Sequence, residues 1–164
     1  RGAPGLPGEG GRDGRGSRPV NPDAPYDLNR FLDAQGRDYE TALRELQSGR
    51  KQSHWIWYIF PQVAGLGRSM MSRRYAIRSA GEAKAYLDHP ILGPRLRQCA
   101  AALLAHADKP IEDIMGYPDD LKARSSMTLF AAVSSAGSVF HRVLDHFYSG
   151  RQDEATVAFL KGNP

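Results

Sequence analysis

From Tyr26 onward the apolar residues recur at intervals of three and four, with glycine or proline interrupting them at short range. That spacing constrains the fold more than any other feature of the chain. At 3.6 residues per turn it gathers the apolar side chains of each segment onto one helical face. In YDLNRFLDAQGRDYETALRELQSGR, Leu28, Phe31 and Leu32 share a face, and Tyr39, Leu43 and Leu46 continue a stripe. Gly36 predicts a break, giving two short helices or one with a kink. Gly49 is suited to a C-terminal stop.

The same code continues to the end. Ser79-Ala-Gly-Glu82 has the spacing of a capping box, and the helix it opens carries Ala83, Tyr86 and Leu87 inward before His89-Pro90. Leu92, Leu96, Cys99 and Leu103 line a longer helix. Ile111, Ile114 and Met115 follow Lys109-Pro110 on a short one. Further helices are predicted over 118–133, 138–148 and about 153–160, the second stopped by Gly150. No internal repeat and no strand–helix alternation occurs. The expectation is an all-α chain, or a mainly α one with a minor β element. It is one domain, 26–164, of seven or eight short helices in an irregular bundle.

Residues 1–25 do not share the code. Gly2, Gly5, Gly8, Gly11 and Gly14 recur every third residue among Pro, Arg and acids. This is collagen-like spacing, but five triplets are too few for an isolated triple helix, and the composition predicts disorder. Four arginines lie in residues 1–18 against Glu9 and Asp13, within a formal net charge of +4. No dense basic stripe with interleaved aromatics marks specific nucleic-acid binding. No run is long enough to span a membrane. The lone Cys99 can form neither an internal disulfide nor a cysteine-based zinc cluster, and points to a reducing, cytoplasmic setting.

Two stretches depart from plain core patterning. SHWIWYIFPQVAGLG, residues 53–67, has two tryptophans, a tyrosine and a phenylalanine within six positions, with His54 before them and Gln62, Gly65 and Gly67 after. Residues 54–60 suit a buried strand or a buried helix. With no second strand-like run to pair with, helix is expected, with Ser53 as N-cap and Pro61 as stop. PDDLKARSSMTLFAAV, residues 118–133, places Lys122, Ser125, Ser126 and Leu129 on one face. Mid-helix Ser and Thr serve either close helix packing or a polar pocket. No Walker loop, no GxGxxG, no HExxH and no GxSxG is present, and the five histidines lack metal-ligand spacing. No cofactor or metal is therefore expected.

These two stretches, with RYAI, EAKAYLDHPILGPRL and VFHRVLDHFYSG, resemble the bacterial domain-of-unknown-function family 1810, whose members are sometimes labelled calpastatin-like. The resemblance covers about residues 26–160. It implies a compact, mostly helical single domain and brings no settled activity or catalytic set.

An apolar aromatic wall with a few convergent polar groups is the usual make-up of a small-molecule site. The expectation is that His54, Trp57, Gln62, Gly65 and Gly67 meet Lys122, Ser125 and Ser126 across one cleft. Trp57 would stack on a planar ring, Lys122 and the glycine loop would meet phosphate, and Gln62 would read a base or sugar edge. The implied ligand is nucleotide-like or ADP-ribose-like. His54 and Lys122 are the candidates for catalysis, if hydrolysis occurs. A distant likeness to helical domains that cleave ADP-ribosyl N-glycosidic bonds is analogy alone. A protein-interaction module without catalysis is the alternative, and purely structural motifs are a third reading.

Overall fold

Residues 25–164 are described by the computed structural model, and nine helices account for most of them. The expectation for the glycine-rich tail lies almost wholly outside the described residues.

The first helix, α1, runs unbroken over Asn29–Gln47, passing through Gly36. Of the two alternatives at Gly36, the single helix is the one formed, and the neighbours of Gly36 hold it from outside. Gln35 is buried, and its amide donates to the Tyr58 carbonyl at 2.8 Å and is hydrogen-bonded to Tyr86 Oη at 2.9 Å. Phe31, Ala34, Tyr39, Ala42 and Leu46 bury the rest of that face. The stop is where the sequence puts it. Gly49 takes φ +77°, where a Cβ would meet the His106 ring at 2.9 Å. Lys109 Nζ then donates to the Gly49 carbonyl at 2.7 Å, satisfying an orphan acceptor near the helix end.

The aromatic stretch forms α2, a single turn over Ile56–Ile59, shorter than the helix expected. Ser53 is not its N-cap. That position belongs to Trp55 and has no side-chain cap bond, while the Ser53 hydroxyl donates to Glu45 at 2.5 Å. Beyond Pro61 the chain is extended, and Val63 makes one isolated parallel bridge with Ile77. This bridge is the whole β content among the described residues.

Between the bridge partners lies α3, Met70–Arg74, and after them α4, Ala80–Asp88. Ser79 Oγ accepts from the Glu82 N–H at 3.0 Å, as a capping box requires. The Glu82 carboxylate reaches the Arg78 N–H, one residue earlier than the motif predicts, and also pairs with Arg30 at 2.7 Å. Arg30 donates as well to the carbonyls of Arg74 and Ala76, so one guanidinium ties α1 to the end of α3 and the start of α4.

The remaining helices are α5 (Leu92–Leu104), α6 (Ile111–Met115), α7 (Asp119–Ala132), α8 (Val139–Tyr148) and α9 (Glu154–Gly162). α5 packs on α1, α4 and α8, while α7 packs on α2, α4, α6, α8 and α9. α7 therefore occupies the middle of the bundle. Its residues from Ser125 to Ala131 are all buried, which explains why it lacks a clean polar face. A run of ring contacts crosses the core from Tyr75 to Phe31, Tyr86, Phe130 and Phe140, with centroid separations of 5.0–5.9 Å. Each such pair adds about 0.5–1.5 kcal/mol beyond area burial. Cys99 is buried beside α1, and burial pushes its thiol up to about 12, so it is packing material and not a nucleophile.

Candidate functional site

The aromatic turn is held in place by one carboxylate. Glu45, in the last turn of α1, accepts from the backbone N–H groups of Gln52 and Ser53 and from the Trp55 indole at 2.8–2.9 Å, besides the Ser53 hydroxyl. Burial alone would raise its pKa. The bonds from Ser53, Gln52 and Trp55 together outweigh burial and bring it down to about 2. Beside it, Lys51 Nζ donates to the Ser53 carbonyl at 2.6 Å and pairs with Asp119 Oδ2 at 2.6 Å. Lys51 also stands 4.8 Å from the Trp55 ring centroid. Neither Glu45 nor Lys51 stands out in the sequence. Glu45 reads as an ordinary polar-face residue of α1, and its partners are loop residues whose approach depends on the turn after Gly49.

Asp119 connects this network to α7, since its other oxygen lies 3.5 Å from Lys122 Nζ. Lys122 in turn stands 4.3 Å from the centroid of the Trp57 ring, in cation–π contact. Trp55 is buried, whereas Trp57 on the same turn is half-buried. A Cβ added to Gly67 would come within 3.4 Å of Trp57 Cη2. Trp57 thus has Gly67 and Lys122 as neighbours, each from a separate segment.

The other expected residues divide. Gln62 is buried, its carbonyl engaged by the Ile77 N–H at 2.9 Å and its side-chain amide nitrogen without a partner among the described residues. Ser126 is fully buried and its hydroxyl is likewise unpartnered. Ser125 is engaged by its own helix, donating to the Leu121 carbonyl at 3.3 Å. His54 is exposed, which removes the burial on which a role as a tuned base was argued. Gly65 and Gly67 each have a local structural reason to be glycine. Gly65 has φ +92°, and at Gly67 a Cβ would press on Ser72 at 2.8 Å.

Neither Ser125 nor Ser126 has a histidine or carboxylate as hydrogen-bond partner among the described residues. The Ser–His contact elsewhere, Ser138 Oγ to His141 Nδ1 at 2.9 Å, belongs to the N-cap of α8. Among the described residues no group of three or more His, Cys, Asp or Glu is placed to hold a metal, and no helix is long and apolar enough to cross a membrane. Leu66, Met70 and Met71 are exposed in the segment that carries Gly67, and Tyr117 and Leu121 in the one that carries Lys122.

A family model described as protein of unknown function (DUF1810) matches residues 25–160. The 1.38 Å crystal structure of the conserved hypothetical protein Rv1873 from Mycobacterium tuberculosis is similar to this chain. The two are 47% identical and superpose with a TM-score of 0.82, over 84% of this chain and 99% of that one. No curated protein matches.

Proposed function

The chain belongs to the DUF1810 family, and from that premise we propose that it binds a small nucleotide-like or ADP-ribose-like ligand where Trp57 meets Lys122. The observation that carries this reading is the Lys122 ammonium over the Trp57 indole, with Gly67 at the ring's edge. A half-buried indole offers a planar ring a surface to stack on, and the lysine beside it offers an anionic group a counter-charge. Hydrolysis is the finer version of the proposal. Of its two sequence candidates Lys122 is at the Trp57 ring, whereas His54 is exposed and has lost the burial that argued for it as a base.

Titration of the full chain with ADP-ribose, AMP and NAD, followed by tryptophan emission and thermal shift, tests the reading. A binder at a hundredfold excess over Kd stabilises by about 2.7 kcal/mol. The expected result is a shift with one of the three that Trp57→Ala and Lys122→Met both remove. No shift with any of them, in emission or in Tm, overturns it.

One observation favours the interaction module instead. Met70 and Tyr117 are 85% and 79% exposed, far more than apolar contact residues of a closed site. On that reading Met70→Ser with Tyr117→Ser abolishes capture of a protein partner and leaves nucleotide titrations flat.

A further inference from the structure

A hollow of about 760 Å³ opens where α9 meets α7, away from Trp57. Three cations line it: Arg124 from α7, Arg151 from the turn after α8, and Lys161 from the end of α9. None of the three is in an ion pair among the described residues. Arg124 is the least exposed of the three. Its Nε is withdrawn from solvent and has no hydrogen-bond acceptor among the described residues, and Asp120 Oδ1, four residues earlier on the same helix, is equally buried and unpartnered.

The backbone keeps these groups in register. Thr128, one turn after Arg124, donates to the Arg124 carbonyl at 2.8 Å and accepts the Asp153 N–H at 2.9 Å. The entry to α9 is thereby fixed to the turn of α7 that bears Arg124. Two carboxylates share the hollow with the cations. Asp153 uses Oδ2 to cap α9, accepting from the Thr156 N–H at 3.1 Å and its hydroxyl at 2.5 Å. Its other oxygen and the exposed Glu154 remain as acceptors.

A lining of three cations and two carboxylates does not suit a bare anion, which the carboxylates repel, nor a neutral sugar, which leaves the cations unanswered. It suits a ligand that carries both a dianionic group and hydroxyls. Guanidinium forks match phosphate oxygens, and carboxylates accept from hydroxyls. The volume is in the range of small-ligand sites, and the half-buried Val157 gives the hollow an apolar side. We propose that this hollow binds a phosphorylated sugar, with its phosphate on Arg124, Arg151 and Lys161 and its hydroxyls on Asp153 and Glu154. No residue of the Trp57 face lines the hollow, so this site stands or falls separately from the one proposed above.

Calorimetry on the full chain tests the assignment with ribose 5-phosphate, ribose and inorganic phosphate as probes. The expected result is saturable binding of ribose 5-phosphate, none of ribose, and inorganic phosphate weaker by about tenfold. Arg124→Gln and Arg151→Ala each weaken ribose 5-phosphate by about tenfold or more. Trp57→Ala leaves it unchanged. Arg151 is exposed, so its variant reports on binding even if Arg124→Gln folds poorly, and far-UV dichroism checks both. Absence of binding, equal binding of inorganic phosphate, or full affinity in Arg151→Ala overturns the proposal. Loss in Trp57→Ala also overturns it, by moving the ligand to the other site.

Discussion

Lys122 Nζ lies 4.3 Å from the centre of the Trp57 ring and 3.5 Å from Asp119 Oδ1, so one ammonium joins the aromatic turn to the first turn of α7. Both contacts are partly solvated, which limits their strength. A cation–π pair at such a site contributes about 0.5–1 kcal/mol. A double-mutant cycle with Lys122→Met and Trp57→Leu, read by urea unfolding, is expected to give a coupling of about that size. A coupling indistinguishable from zero would mean that the lysine does not engage the indole in solution, and the proposed ligand face would lose its central contact.

Glu45 predicts an acid-sensitive step. Its folded pKa, about 2, lies below the ordinary 4.5, so as pH falls the unfolded chain takes up this proton first. The stabilisation is fully present above pH 4.5 and fades between 4.5 and about 2. Urea midpoints measured across this window should fall in the wild type, and fall less steeply in Glu45→Gln. The variant should also be the less stable protein at neutral pH, because an amide cannot accept all four donors that surround Glu45. Parallel pH profiles for the two proteins would refute the assignment.

Cys99 predicts silence. Its thiol is buried and pushed up to about 12, chiefly by burial. A thiol reagent at pH 8 should leave the native protein unlabelled and react once urea unfolds it. Rapid native labelling would show that α5 opens readily.

What the sequence disclosed and what it withheld follow from the range of the interactions. Helices on one-sided apolar stripes, such as α8, are legible because the period is local. The helicity of α7 is legible too, and its central position is not. Ser125 and Thr128 satisfy their hydroxyls on their own helix, so polar letters stand where core letters would be expected. At Gly36 the local signal is overridden by Gln35, whose partners Tyr58 and Tyr86 are remote in sequence. Trp57 and Lys122 are conspicuous as residue types, and they do meet. His54 is equally conspicuous and faces solvent, because its neighbour Trp55 takes the inward position against Glu45. The hollow beside α9 has no motif at all. Its cations come from two helices and a turn, and only the packing of α9 on α7 collects them.

Two glycines should respond to alanine with opposite signs. Gly36 is exposed in the middle of α1, and a Cβ there meets no heavy atom within 4 Å. Its φ is not in the left-handed region, so alanine fits without strain and restricts the unfolded chain. Gly36→Ala is expected to stabilise by about 0.5–1 kcal/mol and to raise Tm by roughly 2–4 °C. Gly93 has the reverse situation. It lies at the start of α5, where a Cβ would come within 2.1 Å of the Leu87 carbonyl oxygen of α4. That atom is backbone, so relief requires α4 and α5 to separate, and Gly93→Ala is expected to cost about 1–3 kcal/mol. Differential scanning calorimetry of the two single variants decides both. A destabilised Gly36→Ala would mean that the helix needs its flexibility at that point after all, and a neutral Gly93→Ala would mean that the α4–α5 junction yields without loss of packing.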